Sequence, residues 1–284
     1  PQGRPNVQGP EFSRPSAAVL QNLSRAGSAT LQSLLKRMGI KRIWMPLYPL
    51  RSGMRCLGPA LTIRAVPGRE DLAPQAYAPA TPFPGHPDDA IDAIQPGDVV
   101  VLDGCGITDE GLFGDLLSRR MHEKGAAGSV SDMGVRDSTR IAQVGIPTFS
   151  RGPCSPGGSV YSVDFNVPIG CAGVLVCPGD IICADDDGAV VIPTALADAV
   201  AAEAVVSEDR EDFIRKMLAQ GEPLQGLYPM EEAWEARFRQ WRQQTLGRLG
   251  GDGMAIAGQS DSLVVLWPRQ TQTVGARPTL RQEA

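Results

Sequence analysis

The chain has 284 residues and a formal net charge of −5 at pH 7, with a pI near 5.2. This length is enough for one large domain or two small ones with a real core. A protein that binds nucleic acid normally carries a basic excess, so the acidic balance argues against that class. An anionic substrate would need a local cationic site.

No stretch of about 18 consecutive apolar residues occurs, so the sequence predicts no membrane span. Residues 1–16 lack the apolar segment of a signal peptide. The six cysteines form no C-x-x-C pair, and most lie in apolar segments. We therefore expect a cytoplasmic protein whose thiols are reduced and mostly buried. The cysteines are Cys56, Cys105, Cys154, Cys171, Cys177 and Cys183.

The first elements of the chain are a helix and a long strand. Leucines on one face predict a helix over 28–38, with Ser28 as its N-cap and a glycine closing it. Residues 56–66 read as a strand because β-branched residues follow a Gly-Pro turn. Residues 67–87 hold many prolines and predict a long loop. A short helix is expected over 88–95.

Strands and helices then alternate. An apolar, β-branched segment over 96–106 predicts a buried strand that ends in a glycine-rich loop. Next come a helix over 110–125, a strand over 126–132, a helix over 136–145 and a strand over 146–150. A β-α-β-α-β order implies parallel strands covered by helices.

The second half is first strand-rich and then helical. Residues 162–193 contain short apolar segments separated by glycine turns. "PGDIICAD" (178–185) echoes "PGDVVVLD" (96–103), which indicates the same turn-and-strand pattern used twice; the alternative is an internal repeat. Helices are predicted over 194–219 and 231–246. The second helix carries an aromatic stripe whose spacing favours packing or a subunit contact, formed by Trp234, Phe238 and Trp241.

Ligands of open parallel sheets bind beyond the carboxyl ends of the strands. One such segment is "GDLL" (114–117), which lies near a predicted helix start. Free backbone N–H groups and the helix dipole there suit a carboxylate or a phosphate, and Gly114 would allow close approach. The alternative is an ordinary amphipathic helix.

The second segment is "SDMGVRDS" (131–138). Asp137 is a candidate ligand for a hard cation, and Arg136 is a candidate for binding a carboxylate, a carbonyl oxygen or a developing enolate. The alternative is a helix cap in which Asp137 occupies the first turn and Arg136 is solvated. The role of Asp132 is left open by the sequence, and a structural role is one option.

Other catalytic patterns are poorly represented. The only histidines, His86 and His122, lack metal-ligand spacing and are expected at the surface. The sequence contains no G-x-S-x-G elbow, phosphate-binding P-loop or Rossmann glycine motif.

Six segments occur in a fixed order along roughly residues 24–245. They are "GPALT" (58–62), "PGDVVVLDG" (96–104), "GDLL" (114–117), "GAAGSVSDMGVRD" (125–137), "IPTFSRG" (146–152) and "PGDIICADDDGAVVIP" (178–193). With these segments the chain resembles the RraA-like family, which includes the class II 4-hydroxy-4-methyl-2-oxoglutarate / 4-carboxy-4-hydroxy-2-oxoadipate aldolases. Its proline-rich insert and "GLYP" (226–229) are similar to a longer subgroup labelled ribonuclease activity regulator.

The resemblance implies an α/β fold: a swivelling β/β/α domain with a largely parallel central sheet and C-terminal helices, assembled as a homotrimer or homohexamer. It implies Mg²⁺ or Mn²⁺ at Asp137 and Arg136 on the oxygens of pyruvate or its enolate. Backbone N–H groups around Leu116 and Leu117 would hold the substrate carboxylate. Asp115 would position a water or assist proton transfer.

The sequence departs from the family pattern at one residue and leaves a second feature unplaced. Met133 stands where the family usually has glycine. The aldolases also take an acid from a neighbouring subunit, for which the candidates in this chain are Glu208, Asp209 and Glu211.

The leading hypothesis is a metal-dependent lyase that cleaves a small anionic 2-oxo acid to pyruvate, with oxaloacetate decarboxylation as a side activity. One alternative is a non-catalytic regulator that binds a ribonuclease or another protein. Another is a sugar-acid dehydratase that uses the same metal site.

We predict four segments along the chain. Residues 1–23 form an N-terminal tail that is partly vector-derived, because "QGPEF" (8–12) resembles a protease site and cloning scar. Residues 24–195 form the catalytic domain, residues 196–246 the C-terminal helices, and residues 247–284 an irregular tail with a short strand at "SLVVLW" (262–267).

Overall fold

The computed structural model describes residues 7–69, 71, 87–111, 113–157 and 160–251. The strands are β1 Val7–Gln8, β2 Trp44–Met45, β3 Tyr48–Pro49, β4 Cys56–Pro67, β5 Val99–Asp103, β6 Gly128–Ser131, β7 Thr148–Ser150, β8 Val160–Phe165, β9 Ile169–Cys171, β10 Val174–Val176, β11 Ile181–Asp185 and β12 Gly188–Ile192. The helices are α1 Ala17–Leu23, α2 Ser28–Arg37, α3 Pro87–Asp92, α4 Asp115–Glu123, α5 Ser138–Val144, α6 Ala197–Ala219 and α7 Glu232–Gly251.

The centre of the fold is the parallel sheet that the alternation predicts. β4, β5, β6 and β7 are neighbours in that order, and each adjacent pair is parallel. Helix α4 connects β5 to β6, and α5 connects β6 to β7. The predicted α/β class with a largely parallel central sheet and C-terminal helices is confirmed. The chain therefore leaves β5, β6 and β7 at the same edge of the sheet.

Strand β4 belongs to both halves of the sheet. Its first residues pair antiparallel with β11, its middle pairs parallel with β5, and its last residues pair antiparallel with β8. β11 continues to β12 and β2, so antiparallel strands extend the parallel core on one side. β4 is twelve residues long and most of its side chains are buried. Its pairings make it the link between the parallel and antiparallel parts of the sheet.

Apolar side chains cover both faces of the sheet. On one face, α2 and α6 pack against β11 and β12, and their leucine, isoleucine, valine and alanine side chains are almost fully buried. On another, α3, α4 and α5 cover β4 and β5. The hairpin of β9 and β10 packs against Val99, Val101 and Val130 of the central strands. Burial on both faces explains why these strands read as continuous apolar segments.

The cap of α2 differs from the prediction. Ser28 is the first residue of the helix rather than its N-cap, which is Gly27. The carboxylate of Asp185, at the end of β11, accepts hydrogen bonds from the Ser28 N–H at 2.7 Å and the Ser28 hydroxyl at 2.5 Å. The helix start is thus capped from another strand, a contact that local sequence does not reveal.

The segment expected as an N-terminal tail is folded over its described residues, 7–23. β1 pairs with β8, Leu23 is fully buried, and Arg14 forms a two-bonded ion pair with Asp98. The chain leading into α1 is therefore part of the core packing.

Helix α4 begins later than predicted, at Asp115 instead of Glu110. The preceding chain is extended, and Gly111 bridges to Gly134 and Gly157 of the two neighbouring loops. These backbone contacts compete with helix formation before Gly114.

The chain divides into two compact units at residues 229 and 230. The second unit contains α7, in which the rings of Phe238 and Trp241 stack with centroids 6.3 Å apart. The Arg237 guanidinium lies 4.0 Å from the centroid of the Trp234 ring. The strand predicted at 262–267 lies outside the described residues. No helix in the described part of the chain is long and apolar enough to cross a membrane.

Candidate functional site

Three loops meet beyond the carboxyl ends of β5, β6 and β7. The Gly134 N–H donates to the Glu110 carbonyl at 3.0 Å, which joins the first loop to the second. The Cys154 N–H donates to the Val135 carbonyl at 2.9 Å, which joins the second to the third. Backbone pairing therefore continues past the strands and holds both predicted segments in fixed positions.

Glycines in the outer loops make room for Arg136. A β-carbon at Gly111 would lie 2.8 Å from the Arg136 Cγ, and one at Gly157 would lie 2.8 Å from its Cδ. The Arg136 N–H donates to the Phe113 carbonyl at 3.0 Å. The stem of this exposed arginine is thus held between two loops, which limits where the guanidinium can point.

Asp137 occupies the N-cap position of α5 but does not cap it. Its backbone is left-handed, with φ 52° and ψ 35°, and its side chain makes no capping hydrogen bond. Left-handed backbone is costly for residues other than glycine, although aspartate tolerates it better than most. The helix-cap alternative is thus confirmed for the position of Asp137 and the exposure of Arg136, but the Asp137 carboxylate makes no capping hydrogen bond and is exposed to solvent.

The two predicted segments come together at Gly114. A β-carbon at Gly114 would lie 2.7 Å from the Asp137 Oδ2. Gly114 is the N-cap of α4 and, being glycine, offers no side-chain cap. The first helical hydrogen bond runs from the Ser118 N–H to the Gly114 carbonyl at 3.1 Å. The free N–H groups of the first turn, including those of Leu116 and Leu117, lie at this end of α4, and so does the positive end of the helix dipole. Both are therefore on the side of the helix where Asp137 lies.

An open pocket of about 490 Å³ lies beside this junction. Its walls are mostly polar, and Arg140 brings a positive charge to them. The Arg140 Nη1 lies 3.7 Å from the Asp115 Oδ2, with the arginine side chain 72% exposed. Sequence reasoning missed Arg140, although its place three residues after Asp137 in a polar segment was a usable signal. The pocket is lined by Asp137, Ser138, Thr139, Arg140, Pro153, Cys154 and Ser155.

Asp132 has a structural role. It is buried, and its two oxygens accept hydrogen bonds from the Gly104 N–H at 2.7 Å and the Ala172 N–H at 3.0 Å. Nearby, burial raises the pKa of Asp103, and the charge of Asp132 adds to that rise. Together these carboxylates fasten the β9–β10 hairpin to the loop after β5.

Met133 is accommodated by a glycine opposite it. The side chain is fully buried, and a β-carbon at Gly104 would lie 1.8 Å from the Met133 Cγ. The thioether therefore fills space that Gly104 leaves open. Met133 is thus part of the buried packing, whereas Arg136 and Asp137 are exposed.

The candidate acids on α6 stand apart from this junction within one chain. Asp209 pairs with Arg25 at 2.6 Å, and Glu211 pairs with Arg215 at 2.6 Å. Burial raises the pKa of Glu208. Their assignment to a neighbouring subunit's site stays a prediction. His122 is exposed on α4, as predicted, while His86 lies outside the described residues.

Comparison with known proteins identifies the family. A family model described as RraA-like, Aldolase/RraA, matches residues 22–191. The chain belongs to the RraA-like family. Protein DlpA of Legionella pneumophila is 32% identical over 221 residues, which cover 76% of this chain and 34% of DlpA. The chain thus spans about a third of that relative.

Two further relatives bear on the site. A protein of Halalkalibacterium halodurans, provisionally named 4-hydroxy-4-methyl-2-oxoglutarate aldolase, is 30% identical over 156 residues, covering 55% of this chain and 68% of that protein. The crystal structure of Streptomyces coelicolor RraAS2, described as an unusual member of the RNase ES inhibitor RraA family, is 33% identical with a TM-score of 0.64. The match covers 72% of this chain and 98% of RraAS2.

Proposed function

We propose that this RraA-like protein is a divalent-metal-dependent carbon–carbon lyase that cleaves a small 2-oxo acid to pyruvate. The observation that carries the proposal is the contact between Asp137 and Gly114, which places a free carboxylate at the uncapped start of α4. A relative provisionally named as an aldolase supports the reaction class. Oxaloacetate decarboxylation and assembly as a homotrimer or homohexamer belong to the same proposal.

The donor set suits Mg²⁺ or Mn²⁺. Asp137 offers carboxylate oxygens to solvent, and Asp115 begins the helix beside it. In the described part of the chain, no three His, Cys, Asp or Glu side chains converge on one point. Magnesium typically takes one or two carboxylates and keeps several waters, so Asp137 would hold it without a dense protein cage. Such a cation supplies Lewis-acid stabilisation of the negative charge that develops on the substrate.

Three groups of this chain would act on the substrate. Arg136, with its stem held between two loops, would bind the 2-oxo oxygen and stabilise the enolate as the carbon–carbon bond breaks. The N–H groups of Leu116 and Leu117 would bind the substrate carboxylate at the positive end of α4. Asp115 would accept or return a proton next to them.

The first test removes the charge of Asp137. In a coupled assay for pyruvate with Mg²⁺, we expect Asp137→Asn to lower kcat/KM by about 100-fold or more, because only the anionic oxygens hold the cation. Isothermal calorimetry with Mn²⁺ should show the loss of binding directly. EDTA should abolish wild-type turnover.

The matched control is Asp92→Asn. Asp92 is an exposed carboxylate that pairs with Arg120 at 2.7 Å, so its loss should leave turnover and Mn²⁺ binding unchanged. Full turnover by Asp137→Asn, or wild-type turnover that survives EDTA, would refute the proposal.

A second candidate function is a non-catalytic protein regulator. Its support is the match to RraAS2, whose description places it in an RNase ES inhibitor family, across nearly the whole length of that protein. This function predicts that Arg136→Ala leaves the inhibition of a ribonuclease intact, since a regulator would act through its outer surface. Loss of pyruvate formation with retained inhibition in this variant would show that the chain does both.

A further inference from the structure

We propose that Arg140 determines specificity in this pocket by binding a second carboxylate, at the far end of a 2-oxo diacid. This inference rests on the proposed lyase function and names a residue that the family resemblance does not assign. It is carried by the position of Arg140, by its weak pairing with Asp115 and by the polar lining of the pocket.

Arg136 and Arg140 lie on the two sides of Asp137 along the chain. The stem of Arg136 packs against Gly111 and Gly157 in the outer loops. Arg140 lies on α5, lines the open pocket and reaches toward Asp115 at the start of α4. If Arg136 holds the 2-oxo end of a substrate, Arg140 is placed for an anionic group farther along the same molecule.

The partner of Arg140 is easily exchanged. Its Nη1 lies 3.7 Å from the Asp115 Oδ2, which is longer than a hydrogen bond, and the arginine side chain is 72% exposed. Exposed ion pairs of this kind contribute little to stability. A substrate carboxylate that offers two oxygens to the planar guanidinium would form the stronger pair. Asp115 would then be free to act near the 2-oxo end.

The charges on the pocket lining are few. Among the described residues that line the pocket, Arg140 is the one cationic side chain and Asp137 the one acidic side chain. With a divalent cation at Asp137, Arg140 would be the positive group that a second carboxylate can meet. The polar walls, which include the hydroxyl groups of Ser138 and Ser155, also favour a charged end over an alkyl end.

The test compares two probes that differ only at the far end, 2-oxoglutarate and 2-oxopentanoate. Neither carries the hydroxyl group that retro-aldol cleavage requires, so calorimetry with Mg²⁺ measures binding without turnover. We expect wild-type protein to prefer 2-oxoglutarate by about tenfold in Kd, from one exposed charge-assisted interaction. Arg140→Gln should abolish that preference and leave 2-oxopentanoate binding unchanged, while Arg140→Lys should retain part of it.

The matched control is Arg120→Gln. Arg120 is an exposed arginine on α4 that pairs with Asp92, and its loss changes the net charge equally without touching the pocket. The inference falls if Arg140→Gln keeps the preference, or if Arg140→Gln and Arg120→Gln lower it alike. If neither probe binds wild-type protein, the proposed function and this inference both fail. If both probes bind equally, only the role of Arg140 fails.

Discussion

Gly114 lies so close to Asp137 that any larger residue at this position would displace the carboxylate. A β-carbon there would lie 2.7 Å from the Asp137 Oδ2, whereas its other near contacts are at 3.8 Å. The clash would fall on the end of a flexible side chain, which can rotate away. An added methyl group would therefore disturb the site more than the fold.

We expect Gly114→Ala to weaken Mn²⁺ binding and lower kcat/KM by about tenfold or more, with the free energy of unfolding changed by less than about 1 kcal/mol. Calorimetry and urea unfolding measure the two effects separately. Gly170→Ala is the matched control, because a β-carbon there meets nothing within 4 Å. Unchanged Mn²⁺ binding in Gly114→Ala would contradict the placement of the cation.

At the scale of one element, the β9–β10 hairpin carries a strained turn. Val174 pairs with Cys171, so Ala172 and Gly173 form a two-residue loop with φ values of 48° and 77°. Positive φ at both positions is the signature of a type I′ turn. Glycine meets this requirement at no steric cost, and alanine does not.

We expect Ala172→Gly to raise the free energy of unfolding by about 0.5–1 kcal/mol, because relief of the left-handed alanine outweighs the added freedom of the unfolded chain. Urea unfolding measures the change. The same substitution at the exposed Ala202 in α6 should act in the opposite direction by about 1 kcal/mol, since glycine is unfavourable inside a helix. A loss of stability in Ala172→Gly would contradict the turn assignment.

At the scale of the whole molecule, one ion pair fastens the N-terminal segment to the central sheet. Arg14 donates from Nε at 2.9 Å and from Nη2 at 2.8 Å to the two oxygens of Asp98, whose side chain is completely buried. The Asp98 Oδ2 also accepts from the Gln95 N–H at 2.9 Å. This carboxylate lies in the turn directly before β5, so the pair joins the chain before α1 to the start of the central strand.

We expect Arg14→Met to lower the free energy of unfolding by about 2–4 kcal/mol, because a buried carboxylate loses its cation. Urea unfolding at pH 7 measures the loss. The double variant Arg14→Met with Asp98→Asn should recover part of it, since the uncompensated charge is then removed. Equal stability of wild type and Arg14→Met would contradict the structural role of residues 8–23.

The elements were predictable because their signals are local. The apolar segment of β5 and the amphipathic pattern of α2 follow from burial on one or both faces, and the alternation of strands and helices implies a parallel sheet. The ends of elements were less predictable, as at α4, where a bridge from Gly111 to the neighbouring loops extends the chain up to Gly114.

The sequence by itself determined the parallel core, the family resemblance and the candidates Gly114, Arg136 and Asp137, because each rests on residue types at short spacing. The tertiary structure decided that Gly114 lies against Asp137, that Asp132 is buried under backbone donors, and that Arg140 faces the pocket. These facts depend on how separate loops meet beyond the sheet. Contacts between distant segments are set by packing and chain direction together, and no local pattern along the chain encodes them.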